Sequence, residues 1–140
     1  MKDSLISFST DMVKAILEGR KTMMRMVIEP QPGDHQNDEG YISDIMNRCP
    51  YQVGDILWVK ETCFASRIAI EVTDIKIEKL QEITEEDAIK EGVRDTFNQQ
   101  TFYPATYNFK ILWDSTNSKK HPWGSNPWVR VISFKRVRED

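Results

Sequence analysis

Two cations pose the first chemical question. In Gly19-Arg20-Lys21-Thr22-Met23-Met24-Arg25, Lys21 offers a compact ammonium, and Arg25 offers a planar fork suited to a phosphate or a base edge. On an extended strand Lys21, Met23 and Arg25 share one face, and Thr22 and Met24 share the other. Arg20 and Thr22 join them as candidate ligand contacts; a solvated basic strand start is the competing reading. The second group is Trp58-Val59-Lys60-Glu61-Thr62. Alternation sends Trp58, Lys60 and Thr62 one way, and Leu57, Val59 and Glu61 the other. With Leu57 and Val59 in a core, Glu61 lies toward an interior or a cleft mouth. A buried carboxylate needs a cationic partner, which Lys21 or Arg25 can supply; a surface ion pair is the alternative. Glu91 is the third candidate, because a carboxylate at a helix C-terminus opposes the dipole. The run Glu85-Glu86-Asp87 is explained by a helix start. Trp58, Trp113, Trp123 and Trp128 could stack on unpaired bases, at about 1–3 kcal/mol per base. Core or rim packing is the commoner use of tryptophan.

These residues must be placed by short elements. Residues 4–8 read as a strand, and Ser9 or Thr10 caps a helix whose stripe is Met12, Val13, Ile16 and Leu17. Gly19 ends that helix, and Arg20–Ile28 returns to strand character. Residues 30–52 read as a long loop insertion between strands, beginning in the turn-rich Pro30-Gln31-Pro32-Gly33-Asp34. Gly54-Asp55 turns into the strand 56–62, and 68–80 alternates as one strand or as two meeting at a bend. Thr84 caps a helix that Gly92 ends. Residues 105–116 form a third helix with Phe109, Leu112 and Trp113 on one face, 117–127 is turn-rich, and 128–137 is the last strand. The pattern is α+β: a small curved β-barrel with two or three helices at its openings.

Length and charge bound the function. A chain of 140 residues suggests one domain, 1–140. At 39% hydrophobic and 29% charged it is neither a disordered nor a membrane-embedded composition. With no apolar run long enough for a bilayer and no leader-like N-terminus, the expectation is a cytoplasmic protein with no membrane partner. A net charge of −3 weighs against a long duplex-binding track but leaves room for a cleft that reads one base. Two cysteines and two histidines make neither a disulfide framework nor a zinc cluster, so neither metal nor cofactor is expected. There is no phosphate-binding glycine loop and no nucleophile elbow.

Four segments in order carry a resemblance: Ala15–Thr22 (AILEGRKT), Gly54–Thr62 (GDILWVKET), Ile83–Gly92 (ITEEDAIKEG) and Asn126–Phe134 (NPWVRVISF). Together they resemble the ASCH domain family of the PUA-like superfold, and within it the small stand-alone proteins of phages and prophages. The resemblance covers most of the chain except 30–50 and 95–105. It implies a PUA-like barrel, a cleft between the first helix and the barrel, and RNA, single-stranded nucleic acid or a modified nucleoside as ligand. Lys21 matches the family's lysine after the helix-ending glycine, and Glu91 an acidic position of the helix that closes the cleft. One branch hydrolyses the amide of acetylated cytidine with that lysine, that glutamate and a threonine three residues after the lysine. Here the threonine position is Met24, a thioether that cannot donate a proton and attack a carbonyl.

The resulting expectation is a binding module. Arg20, Lys21, Thr22, Arg25, Trp58, Lys60, Glu61, Thr62 and Trp128 are its ligand contacts, with Glu61 or Glu91 accepting from an exocyclic amine. One alternative is a small hydrolase, an amidohydrolase or ribonuclease, with Lys21 and Glu91 as its catalytic pair. The other is a phage accessory protein that binds a host protein.

Overall fold

The computed structural model describes residues 3–32, 39–60 and 68–137. Its elements run β1 (Asp3–Ser7), α1 (Thr10–Leu17), β2 (Met23–Val27), α2 (Glu39–Asn47), β3 (Ile56–Lys60), β4 (Ile68–Lys79), α3 (Glu85–Lys90), β5 (Thr96–Asn98), β6 (Thr101–Tyr103), α4 (Ala105–Asn117) and β7 (Trp128–Val137). Five strands form one mixed sheet in the order β1-β3-β4-β7-β2. The β1–β3 pair is parallel and the other pairs are antiparallel. The sheet curls into a half-barrel, as the resemblance implies. Among the described residues four α-helices accompany it.

Strand alternation divides the interior between the two faces. Met24, Leu57, Ile70, Val72, Ile132 and Phe134 pack with Val13 and Ile16 of α1. Met23, Val129 and Val131 pack on the other face with Ala88 of α3 and Phe109 and Trp113 of α4. Adjacent Met23 and Met24 thus serve opposite cores, and both faces of β7 are covered, so Val129-Arg130-Val131-Ile132 is buried without interruption. The long strand β4 shifts register between Val72 and Asp74, which is the bend that its sequence suggests.

Capping fixes the helices that frame the site. Ser9 Oγ accepts from the Met12 amide at 3.3 Å, and Thr84 Oγ1 accepts from the Asp87 amide at 3.1 Å. Pro104, at the start of α4, has no side-chain oxygen to offer. Glu85 of α3 does the work instead, accepting from the Ala105 and Thr106 amides at 2.6 and 3.0 Å. The acidic run 85–87 therefore does more than favour its own helix dipole.

Three expectations change. The segment read as a loop over 30–52 contains the helix α2, held by buried Ile45 and by Arg130 Nη2, which donates to the Ile45 carbonyl at 2.9 Å. Regular pairing of β2 begins at Met23, later than the Arg20 start read from sequence. The hairpin β5–β6 was not foreseen: its strands have three residues each, and Gln99 takes the turn's left-handed conformation (φ 58°) where a glycine would have signalled it.

Candidate functional site

β1 and β2 are the sheet's two edges, and the candidate site opens between them. Lys21 and Glu91 are joined first through the backbone. The pair forms an isolated antiparallel bridge, and the Thr22 amide donates to the Lys90 carbonyl at 2.7 Å. Gly92 makes this approach possible. Its φ is +100°, and a Cβ there would lie 3.1 Å from Ala15 Cβ and 3.3 Å from Lys21 Cβ. The end of α3 can therefore press against the turn that follows α1.

The side chains complete the junction. Lys21 Nζ donates to the carbonyls of Met23 at 2.8 Å and Glu91 at 2.9 Å, and stands 3.5 Å from Glu91 Oε1. It also lies 5.6 Å from the centroid of the Phe8 ring. Arg25 Nη1 donates to Glu91 Oε2 at 2.8 Å, and its Nη2 to Glu78 Oε2 at 2.7 Å, with Asp87 Oδ2 at 3.4 Å. Lys21, Arg25 and Glu91 are 5%, 9% and 4% exposed. Such charges persist in a low-dielectric interior only when paired and hydrogen-bonded. Burial pushes the Lys21 ammonium below the usual lysine value, against the opposing pull of Glu91. Burial likewise pushes the Glu91 carboxyl up, against Lys21 and Arg25.

This cluster lies in the wall of a cleft of about 460 Å³. Phe8, Met24, Tyr51, Leu112 and Trp113 line it together with Lys21, Arg25 and Glu91. Ser7 and Ser9 are also at its rim. The volume falls in the range of small-ligand sites, and a mostly apolar wall with a few converging polar groups is their usual make-up. Glu91 Oε1 has acceptor capacity left: among the described residues its polar contact is the long one to Lys21, at 3.5 Å.

The sequence candidates separate cleanly. Lys21, Arg25 and Glu91 come together, with Glu91 in direct contact with both cations. Arg20 points elsewhere, to Glu18 at 2.7 Å and to the Gly92 carbonyl at 2.9 Å. Thr22 contributes its backbone to the α3 bridge and to β7 and is outside the cleft lining. Trp58 and Lys60 sit on β3, in a part of the sheet that does not border this cleft. Trp128 lies beneath Lys79, whose Nζ is 5.4 Å from its ring centroid, and is likewise outside the cleft. Trp113 is the tryptophan that reaches the site, anchored by its Nε1 donating to the His121 carbonyl at 2.7 Å. Trp123 packs edge-on against Phe109. Glu61 and Thr62 lie outside the described residues. The carboxylates that meet the two cations are Glu91, Glu78 and Asp87.

The ASCH domain from Lactobacillus crispatus JV V101 superposes with a TM-score of 0.62 at 16% identity, over 99% of this chain and 81% of its own. The fold is that of the ASCH domain. A hypothetical protein named PH0355 matches at TM-score 0.57 and 12% identity, over 98% of this chain and 100% of its own. The protein EF3133 from Enterococcus faecalis V583 does so at 0.57 and 13%, over 96% and 76%. No family model and no curated protein matches the sequence. The ASCH fold thus accounts for nearly the whole chain while leaving few residue identities in common.

Phe8 and Tyr51 were missed as site residues. Phe8 closes the first apolar strand immediately before the Ser9 cap, where alternation is interrupted, and Tyr51 stands in a stretch without periodicity. Neither carried a local signal of a cleft. Glu78 carried no distinct signal either: it alternates with Asp74 and Lys76 on one face of a strand that holds five charged residues, and lies 3.4 Å from Lys76. Among the described residues no helix is long and apolar enough to cross a membrane.

Proposed function

We propose that the cleft binds a nucleobase that carries an exocyclic amine, presented by RNA, by another single strand or by a modified nucleoside. The observation that carries this reading is the buried Lys21–Glu91–Arg25 cluster in the wall of an aromatic cleft. A flat base can lie among Phe8, Met24, Tyr51 and Trp113, which exclude water from its faces. Its amine can donate to Glu91 Oε1. Lys21 and Arg25 hold that carboxylate in place, so its acceptor direction is set before the ligand arrives. A base with a carbonyl in place of the amine would set oxygen against oxygen, and a site built for a polar group discriminates strongly against the analogue that leaves it unpaired.

The test is calorimetric titration with cytidine, adenosine, guanosine and uridine. Binding of amine-bearing nucleosides at least about tenfold tighter than uridine is expected. Leu112 lines the cleft and is 37% exposed, so Leu112→Trp fills the cleft without disturbing the core, and it should abolish binding. Unchanged affinity in Leu112→Trp, or no preference among the four nucleosides, would overturn the reading.

A hydrolase of N-acylated cytidine is a second reading, favoured by one observation. The lowered Lys21 and raised Glu91 pKa values stand side by side, which eases proton transfer between them. Against it, Met24 lines the cleft at the position where the hydrolytic branch carries its threonine. Lys21 Nζ also donates to two carbonyls, which favours its protonated form. Incubation with N-acetylcytidine across a wide pH range should yield no cytidine; sustained turnover that Lys21→Met abolishes would establish the hydrolase instead.

A further inference from the structure

A second cleft, of about 620 Å³, adjoins the first. The two share Arg25, Met26, Trp113, Thr116 and Asn117 in their linings. From this common wall the second cleft runs along the edge strand β2 to Glu29 and over the segment that follows α4, Ser118-Lys119-Lys120-His121. Its character differs from that of the first. Ser115, Thr116 and Asn117 line it with hydroxyl and amide groups, and Lys119 and Lys120 stand exposed at its rim. Glu29 bridges Lys120, at 3.2 Å, and His121. Where the clefts meet, Arg25 Nε is a buried donor with no hydrogen-bond partner among the described residues.

We propose that this second cleft is a subsite for the sugar–phosphate backbone flanking the bound base, and that the ligand is therefore a single-stranded polynucleotide in preference to a free nucleoside. The inference rests on the base-binding reading of the first cleft. A nucleoside fills the first cleft alone. A strand must leave it, and this adjoining concavity is the more polar of the two and is rimmed with cations, as backbone contacts require, whereas the first is mostly apolar, as a base requires. The Glu29 carboxylate occupies the cations in the absence of ligand. A phosphate replaces it on Lys120, because both partners are exposed and an exposed ion pair exchanges at little cost. This arrangement places the cationic contacts locally on a chain of net charge −3, without a basic surface.

The test measures binding of one nucleoside and of the corresponding tetranucleotide, in ribo and deoxyribo forms, at two salt concentrations. Three proteins are compared: wild type, Lys119→Ala/Lys120→Ala and Glu29→Gln. For the wild type the tetranucleotide should bind at least about tenfold tighter than the nucleoside, with a log–log salt slope of about −0.7 for each phosphate engaged. The double lysine variant should lose that advantage and flatten the slope while its nucleoside affinity stays unchanged. Glu29→Gln should strengthen tetranucleotide binding and leave the nucleoside unaffected. If the nucleoside binds and the tetranucleotide gains nothing, or the gain survives in the double variant, the backbone subsite is wrong and the base cleft stands. If neither ligand binds the wild type, the base-binding reading has failed and this one with it. The ribo and deoxyribo arms identify which strand supplies the phosphate.

Discussion

Two charge clusters border the same trough and differ in almost every physical respect. At Lys21–Glu91–Arg25 the charges are nearly sealed from water, each cation is fixed by several acceptors, and desolvation dominates the titration of Lys21 and Glu91. At Glu29–Lys120–His121 the carboxylate is exposed, and Lys120 followed by His121 holds it below the usual carboxylate value by hydrogen bonding. The first cluster is bound to the fold: β2, α3 and β4 are joined in it through Arg25 and its partners Glu91, Asp87 and Glu78. The second joins two surface segments and can open without disturbing a core. Lysine and glutamate therefore form a fixed framework in one place and an exposed ion pair in the other, and burial decides which.

The comparison breaks most visibly at Glu91. Glu91→Ala leaves Lys21 and Arg25 buried with less counter-charge, and a loss of about 3–5 kcal/mol in unfolding free energy is expected from denaturant titration. Lys21→Met combined with Glu91→Gln removes the ammonium and the carboxylate together. It should recover most of that loss, because an apolar or neutral replacement of a buried pair is often close to neutral. A double variant as unstable as Glu91→Ala would mean that the pair is not coupled.

A smaller effect is expected from pH, and it sharpens the contrast by sign. The folded-state pKa of Lys21 lies below the usual 10.5, so between the two values the unfolded chain binds more protons, and stability rises with pH across that window. Glu91 works in the other direction. Its folded-state value lies above 4.5, so its contribution is present at low pH and is lost as pH rises through the raised value. Glu29, depressed, contributes above 4.5 and loses that contribution as pH falls through its lowered value. Stability–pH profiles of wild type and Lys21→Met should diverge in the alkaline window, whereas Glu29→Gln should follow the wild type there.

The smallest effect concerns the join between helices. Glu85 is on the surface yet caps α4, and Glu85→Ala should cost about 1 kcal/mol, as lost caps do. Thermal unfolding followed by circular dichroism would register it; no change in the midpoint would mean that Ala105 and Thr106 are satisfied as well by water.

Much of the fold was legible because it is written locally. Ser9 and Thr84 announce helices, Gly19 and Gly92 end them, and the apolar stretches at 56–62, 68–80 and 128–137 read as strands, with alternation in the second. Lys21 and Arg25 were legible as candidates because they stand where a helix gives way to a strand, and Glu91 because a carboxylate at a helix C-terminus opposes the dipole. The helix α2 was hidden because Ile42, Ile45 and Met46 are its only periodic signal, amid Pro30, Pro32, Gly33 and Pro50. Trp58 and Trp128 misled because stacking capacity belongs to the residue type, whereas position depends on sheet order. Strand order puts two strands, β4 and β7, between β3 and β2, and no spacing in the sequence states that. Phe8 and Tyr51 were invisible for the same reason.

The most direct measurement of the central claim is a nucleoside titration followed by NMR, reading the indole signals of the four tryptophans and the methyl signals of the methionines. The account expects cytidine to shift Trp113 and Met24, which line the cleft, in a saturable manner, and to leave Trp58 and Trp128 unmoved. Saturable shifts at Trp58 or Trp128 with Trp113 and Met24 silent, or no saturable shift with any nucleoside, would contradict it.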